Sequence, residues 1–214
     1  MNRSKLQPAP LPVTKFLIRG DGDCLYNAII QALAKHPCGN MTDFAKVALN
    51  AGQMRRNIAM VGRDLDDCYK NLYEILASMS EEDINNLTKD PGSRDTFPPW
   101  ALSWFLNTKK ADRSWRSFVA EGTRRVKATS EYATDCEVSI LKDRLRDNKV
   151  NMNIIKVGRT GVLPAVANFG TCDSPIINLV YNGADHYDVL IPVYKAGTRK
   201  NRKSKRKSRR NRRR

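Results

Sequence analysis

The chain has only two histidines in 214 residues, His36 and His186, so any imidazole chemistry must run through one of them. Its five cysteines, Cys24, Cys38, Cys68, Cys136 and Cys172, contain no Cys-x-x-Cys pair and do not cluster with histidine. That spacing excludes an ordinary structural zinc site and predicts reduced, unpaired thiols and no metal or other cofactor. No apolar run approaches the roughly 18 residues that span a bilayer, so no membrane partner is expected. The start of the chain, Met1-Asn2-Arg3-Ser4-Lys5 followed by Gln-Pro-Ala-Pro-Leu-Pro, lacks the apolar core of a signal peptide. Together these absences predict an intracellular protein.

Acid is missing from one place only. Residues 195–214 hold 13 Lys or Arg and no Asp or Glu; taking those 13 from a total of 38 leaves 25 basic against 22 acidic residues elsewhere. The net charge of +16 is therefore a near-neutral body carrying a basic tail. Three segments follow: an extended, proline-punctuated lead-in over 1–14, a folded domain over 15–194, and a tail over 195–214 that is too polar to pack and reads as disordered. A length of 214 residues with 41% hydrophobic residues suits a single domain with a sizeable core.

Within the domain, Phe16-Leu17-Ile18 reads as a short apolar strand or turn running into the turn-rich Arg19-Gly20-Asp21-Gly22-Asp23. From Cys24 onward Leu25, Ala28, Ile29, Ala32 and Leu33 recur at helical spacing, and His36-Pro37 ends that helix. A second helix is predicted from Thr42 to about Met60, with Phe44, Val47, Ala48 and Met54 near one face. A third runs from Asp64 to about Met79 with Leu65, Cys68, Tyr69, Leu72 and Ile75 inward. Ser80-Glu81-Glu82-Asp83 caps a short fourth, and residues 88–99 read as a loop. Trp100, Trp104, Phe105, Trp115 and Phe118 form an aromatic cluster on helical segments, more suited to core than to binding surface. After a further helix from Thr134 to about Arg146 the period becomes strand-like: Met152–Val157, Ile176–Tyr181 and Tyr187–Val193, with Asn182-Gly183 as a hairpin connection between the last two. Helices first and strands last predict an α+β (mixed α/β) domain.

Cys24 opens a helix behind a glycine-containing loop. Helix-start N–H groups and the positive end of the macrodipole favour a thiolate, and loop amides can bind an oxyanion. The same pattern also suits a buried structural cysteine behind an acidic cap. A nucleophilic thiol needs a base. His36, beside Pro37, reads as a solvent-exposed cap. His186 begins a strand in Asp185-His186-Tyr187-Asp188, where residues i and i+2 share a face, so Asp188 is placed to orient its imidazole and Tyr187 points to the other side.

Asp-Gly-Asp-Cys-Leu-Tyr-Asn-Ala-Ile (21–29) resembles the cysteine box of the OTU (ovarian tumour) deubiquitinases, and Tyr-Asn-Gly-Ala-Asp-His-Tyr-Asp-Val-Leu (181–190) resembles their histidine box, in the family's order. The resemblance extends over roughly 15–194. It implies a papain-like fold with a small central sheet flanked by helices, Cys24 as nucleophile, His186 as base, Asp188 as the acid orienting the histidine and Asp21 as a loop-shaping active-site residue. It implies ubiquitin or ubiquitin-like modifier conjugates as partners, with hydrolysis after the modifier's C-terminal glycine through a Cys24 thioester. Glu131-Tyr132-Ala133-Thr134 stands where the family often has Trp-Gly-Gly, which leaves linkage preference and modifier identity open.

The tail carries separate readings. Residues 199–214 suit a nuclear import receptor or nucleic acid, giving a nuclear or nucleocytoplasmic expectation; any phosphate attraction would be salt-dependent and nearly sequence-blind. The alternative to an enzyme is a nucleic-acid-binding protein acting through this tail, its OTU-like domain a weak or inactive ubiquitin-binding module.

Overall fold

A computed structural model of the chain describes residues 9–43, 50–60, 62–90, 93, 96–128, 131–157, 161–183 and 185–193. The predicted inward positions Phe44, Val47 and Ala48 lie outside the described residues, as does the tail of 195–214.

The elements are β1 (Leu11–Phe16), α1 (Cys24–Ala34), α2 (Ala51–Ala59), α3 (Arg63–Ala77), α4 (Glu81–Lys89), α5 (Pro99–Asn107), α6 (Trp115–Lys127), α7 (Asp135–Asp147), β2 (Asn151–Lys156), β3 (Val166–Ala167), β4 (Gly170–Thr171), β5 (Ser174–Tyr181) and β6 (Tyr187–Pro192); the two-residue strands β3 and β4 are not expected from sequence. The architecture is mixed α/β, a small sheet flanked by helices. Strand order among the described residues is β2-β5-β6-β1-β3, with β4 paired to β5. β2 runs parallel to β5, and the β5–β6 and β6–β1 pairs are antiparallel. Residues 11–14, read from sequence as part of the lead-in, form most of β1: Leu11 and Pro12 pair with β3 and Val13 and Thr14 with β6, so an N-terminal segment enters the sheet next to the histidine strand.

Strands β5 and β6 are buried on both faces, which explains their near-continuous apolar runs. Ile177, Leu179 and Val189 join the helices in the main core. Val180 and Leu190 pack with Ala167 and Phe169 on the other face. Leu25, Ala28, Ile29, Ala32 and Leu33, the predicted stripe of α1, are all in the main core, and so is Cys24. Residues within 24–33 and 177–189, far apart in sequence, thus share one core.

Helix starts follow their local chemistry. Ser80 caps α4 by accepting from Asp83 N at 3.1 Å, and Thr134 and Glu137 form a capping box on α7. The second helix begins at Ala51 rather than Thr42; Asn50 accepts from Gln53 N at 2.9 Å and caps it there, while Thr42 is folded onto Asn40. Trp100, Trp104, Phe105 and Phe118 form the aromatic cluster between α5 and α6. Trp115 does not join it: the first residue of α6 stands at the surface, with Lys70 and Arg116 over its ring. Ile75, expected to face inward on α3, is exposed, because the buried stripe of that helix is Leu65, Tyr69, Leu72 and Leu76.

The cysteines depart furthest from expectation. Cys38 is bonded to Cys172 and Cys68 to Cys136, leaving Cys24 as the free thiol. These pairs are 134 and 68 residues apart in sequence, so local spacing carried no trace of them. Disulfides persist in oxidising compartments, and the intracellular expectation loses the support that reduced thiols gave it. Among the described residues no helix is long and apolar enough to cross a membrane.

Candidate active site

Cys24 is the first residue of α1 and is 2% exposed. The loop before it turns at Gly22, whose φ of +82° favours glycine. Asp21 sits in that loop and accepts from Asp23 N at 3.3 Å through Oδ1; its second oxygen lies 3.9 Å from Arg19 Nε. The Asp23 N–H is thereby engaged, whereas the N–H groups of Cys24 and Leu25 precede the helical ladder.

His186 and Asp188 share a face, as the strand period requires, with Nε2 of the imidazole 2.9 Å from Asp188 Oδ1. The carboxylate is buried and held from β1 and the residues just after it as well: Ile18 N donates to Oδ1 at 2.9 Å and Lys15 Nζ lies 3.2 Å from Oδ2. Burial alone would raise the Asp188 carboxyl. The Ile18 N–H, the imidazole and the Lys15 ammonium outweigh it and hold the group below the usual carboxylate range. With Nε2 tied to Asp188, the other nitrogen faces the cysteine loop; a Cβ on Gly20 would lie 3.4 Å from His186 Nδ1.

The backbone on both sides of His186 touches the cysteine. The Cys24 thiol reaches Asp185 O, with Sγ at 3.6 Å, and the Tyr187 backbone also hydrogen-bonds to it. The structure therefore brings Cys24, His186 and Asp188 to one place, with Asp21 in the adjoining loop. Asp188, not Asp21, contacts the imidazole.

The Cys24 thiol corrects the electrostatic expectation. Burial pushes it above its ordinary value, the backbone of Tyr187, Leu25 and Cys24 itself pulls the other way, and the Asp185 carboxylate pushes it up again. A helix N-terminus contributes about 0.3–1 kcal/mol to a nearby charge, whereas burial shifts titrations by up to several pH units. Burial wins, and the resting group is a thiol.

His36 is buried rather than exposed. Cys38 N donates to its Nδ1 at 3.2 Å and Nε2 lies 3.1 Å from Phe169 O, so both nitrogens are occupied, with Nε2 as the donor. Burial lowers its pKa. This histidine ties the α1 exit to the β3–β4 segment and is no rival to His186.

A cavity of about 440 Å³ opens beside Cys24, walled by Trp100, Tyr132, Tyr181 and Tyr187 among others. Tyr187 stacks on Tyr181 with ring centroids 4.7 Å apart. It is both a core residue and a cavity wall. The sequence reading missed Lys15, Ile18 and Arg55. The last carried a signal: Ala51, Met54, Arg55 and Ile58 form one helical stripe, and all four are buried. Among the described residues no group of His, Cys, Asp and Glu forms a metal site.

No protein-family model matches the sequence, and no curated protein matches it. Among solved structures, chains in h/ceOTUB1–ubiquitin aldehyde–UBCH5B~Ub and in a ceOTUB1 ubiquitin aldehyde UBC13~Ub complex match at 18% identity each, with TM-scores of 0.37 and 0.36. Each match covers 84% of this chain, and 76% and 79% of the respective partner in the comparison. Similarity at this level decides nothing about chemistry, which has to come from the residues.

Proposed function

We propose that the chain is a thiol-dependent hydrolase of the OTU type that cleaves the isopeptide bond after the C-terminal glycine of ubiquitin or a ubiquitin-like modifier. One observation carries the chemistry: an imidazole fixed by a buried carboxylate lies between two backbone groups that both touch a thiol at a helix start. The substrate class rests on the resemblance of residues 21–29 and 181–190 to the OTU cysteine and histidine boxes.

In the proposed reaction His186 takes the Cys24 proton as Sγ attacks the glycine carbonyl carbon. The oxyanion is met by N–H groups at the start of α1, Cys24 N–H among them. The C–N bond then breaks as imidazolium returns the proton to the departing lysine amine, leaving a thioester. Water gives a proton to His186 as it attacks, and collapse releases the free modifier and restores the thiol. Asp188 holds the imidazole with Nε2 toward itself and Nδ1 toward the thiol side, and stabilises the imidazolium. The test is cleavage of purified ubiquitin conjugates by the full chain and by Cys24→Ala. Wild-type cleavage lost in the variant supports the reading, and equal cleavage by both sinks it.

A second role attaches to the 13 basic residues of 195–214, which suit a polyanion or an import receptor. Deleting them should leave cleavage unchanged and abolish salt-sensitive retention on heparin; unchanged retention would remove this reading.

A further inference from the structure

Arg55 is fully buried in α2, a helix that contributes no residue to the proposed chemistry. A guanidinium in a protein core is costly unless every donor is matched and its charge is balanced. Here Nε meets Asp23 Oδ1 at 2.5 Å, one terminal nitrogen donates to Gly22 O at 2.8 Å and to Glu131 O, and the other to Val126 O at 3.3 Å. The planar group lies over the Tyr26 ring, 4.4 Å from its centroid.

The destinations of these bonds matter more than their number. Gly22 and Asp23 belong to the loop that presents Cys24. Glu131 begins the stretch 131–135, which lines the same cavity as Cys24. One buried side chain thus ties the loop before the nucleophile to a second cavity-lining segment. The loop's other hydrogen bonds are local: Asp21 N to Arg19 O, Asp23 N to Asp21, and Asn27 N to Asp23 O.

We propose that Arg55 is a positioning residue: its guanidinium clamps the Gly22–Asp23 loop to the 131–135 wall, fixing both the start of α1 under the oxyanion and the width of the cleft. This inference rests on the proposed hydrolase activity for its kinetic consequence, but not for its structural one. Lysine cannot replace the clamp, because a single ammonium cannot reach three chain segments in a fixed plane.

The test compares wild type, Arg55→Lys and Asp23→Asn in the full chain, by local hydrogen exchange and by steady-state kinetics on ubiquitin conjugates. In Arg55→Lys, amides of 20–25 and 131–135 should exchange at least about 10-fold faster while β5, β6 and α3 keep their protection. The rate constant kcat should fall about 100-fold with KM changed by less than about threefold, as misplacement of a reacting group by an ångström does. Asp23→Asn, which removes the charge from the same bond on the loop side, should show the same pattern more weakly, and it decides the matter if Arg55→Lys does not fold. Unchanged loop exchange and kcat would overturn the clamp, and so would acceleration spread evenly over the whole core. Wild type that cleaves nothing would overturn the hydrolase reading instead; the exchange comparison needs no substrate and still decides the clamp.

Discussion

Asp188 carries two duties that separate experimentally. It orients His186, and it anchors β6 to β1 through Ile18 and Lys15. Asp188→Asn keeps the shape but removes the charge, so kcat should fall about 100- to 10,000-fold, as loss of a triad carboxylate does; activity within a factor of three of wild type would remove its orienting role. Its carboxyl is held low in the fold, so the stabilisation it gives is present above the ordinary aspartate pKa of about 3.9 and is lost as pH falls through the folded value. An acid melting series should show that component in wild type and not in Asp188→Asn. Cys24 has the opposite sign. Its thiol is raised by burial, so the alkylation rate with iodoacetamide should climb through and beyond pH 9 in the free protein. A plateau reached below pH 7 would show a preformed thiolate instead and contradict the burial argument.

The helices and strands that build the site were largely legible, because the patterns that write them are local. The α1 stripe from Leu25 to Leu33, the Ser80 cap and the alternation at His186 and Asp188 all depend on residues a few positions apart. What the sequence hid depends on partners far away: Arg55 meets Asp23, 32 residues off, and Lys15 and Ile18 meet Asp188 only once β1 pairs with β6. His36 read as exposed because its acceptor, Phe169 O, comes from 133 residues downstream. The α7 start supplies a test at this scale. Glu137 is buried, and its carboxylate accepts both the Thr134 N–H and the Thr134 hydroxyl. Burial raises its pKa, with the Thr134 bonds and Arg55 opposing. Glu137→Ala should cost about 1–3 kcal/mol in urea denaturation by stranding buried donors. Glu137→Gln keeps the reciprocal cap and should cost less than half of that; equal costs would show that the cap is not what Glu137 supplies.

Across the whole molecule, two disulfides tie elements that the chain order leaves apart. Cys68–Cys136 joins α3 to α7, and Cys38–Cys172 joins the α1 exit to the β4–β5 turn. They leave the proposed nucleophile as the free thiol. Protein folded without reductant and then denatured should titrate one thiol per chain, rising to five after reduction; five before reduction would restore the reduced-thiol expectation. Opening either bridge should lower stability by about 2–4 kcal/mol, given the long loops they close. In the proposed hydrolysis His186 gives Cys24 its nucleophilicity. The most direct measurement is covalent trapping with ubiquitin bearing a C-terminal electrophile, with the adduct mapped by mass spectrometry in wild type, Cys24→Ala and His186→Ala. One adduct should form on Cys24, absent in Cys24→Ala and formed at least about 100-fold more slowly in His186→Ala. An adduct on another residue, or equal trapping without His186, would contradict it.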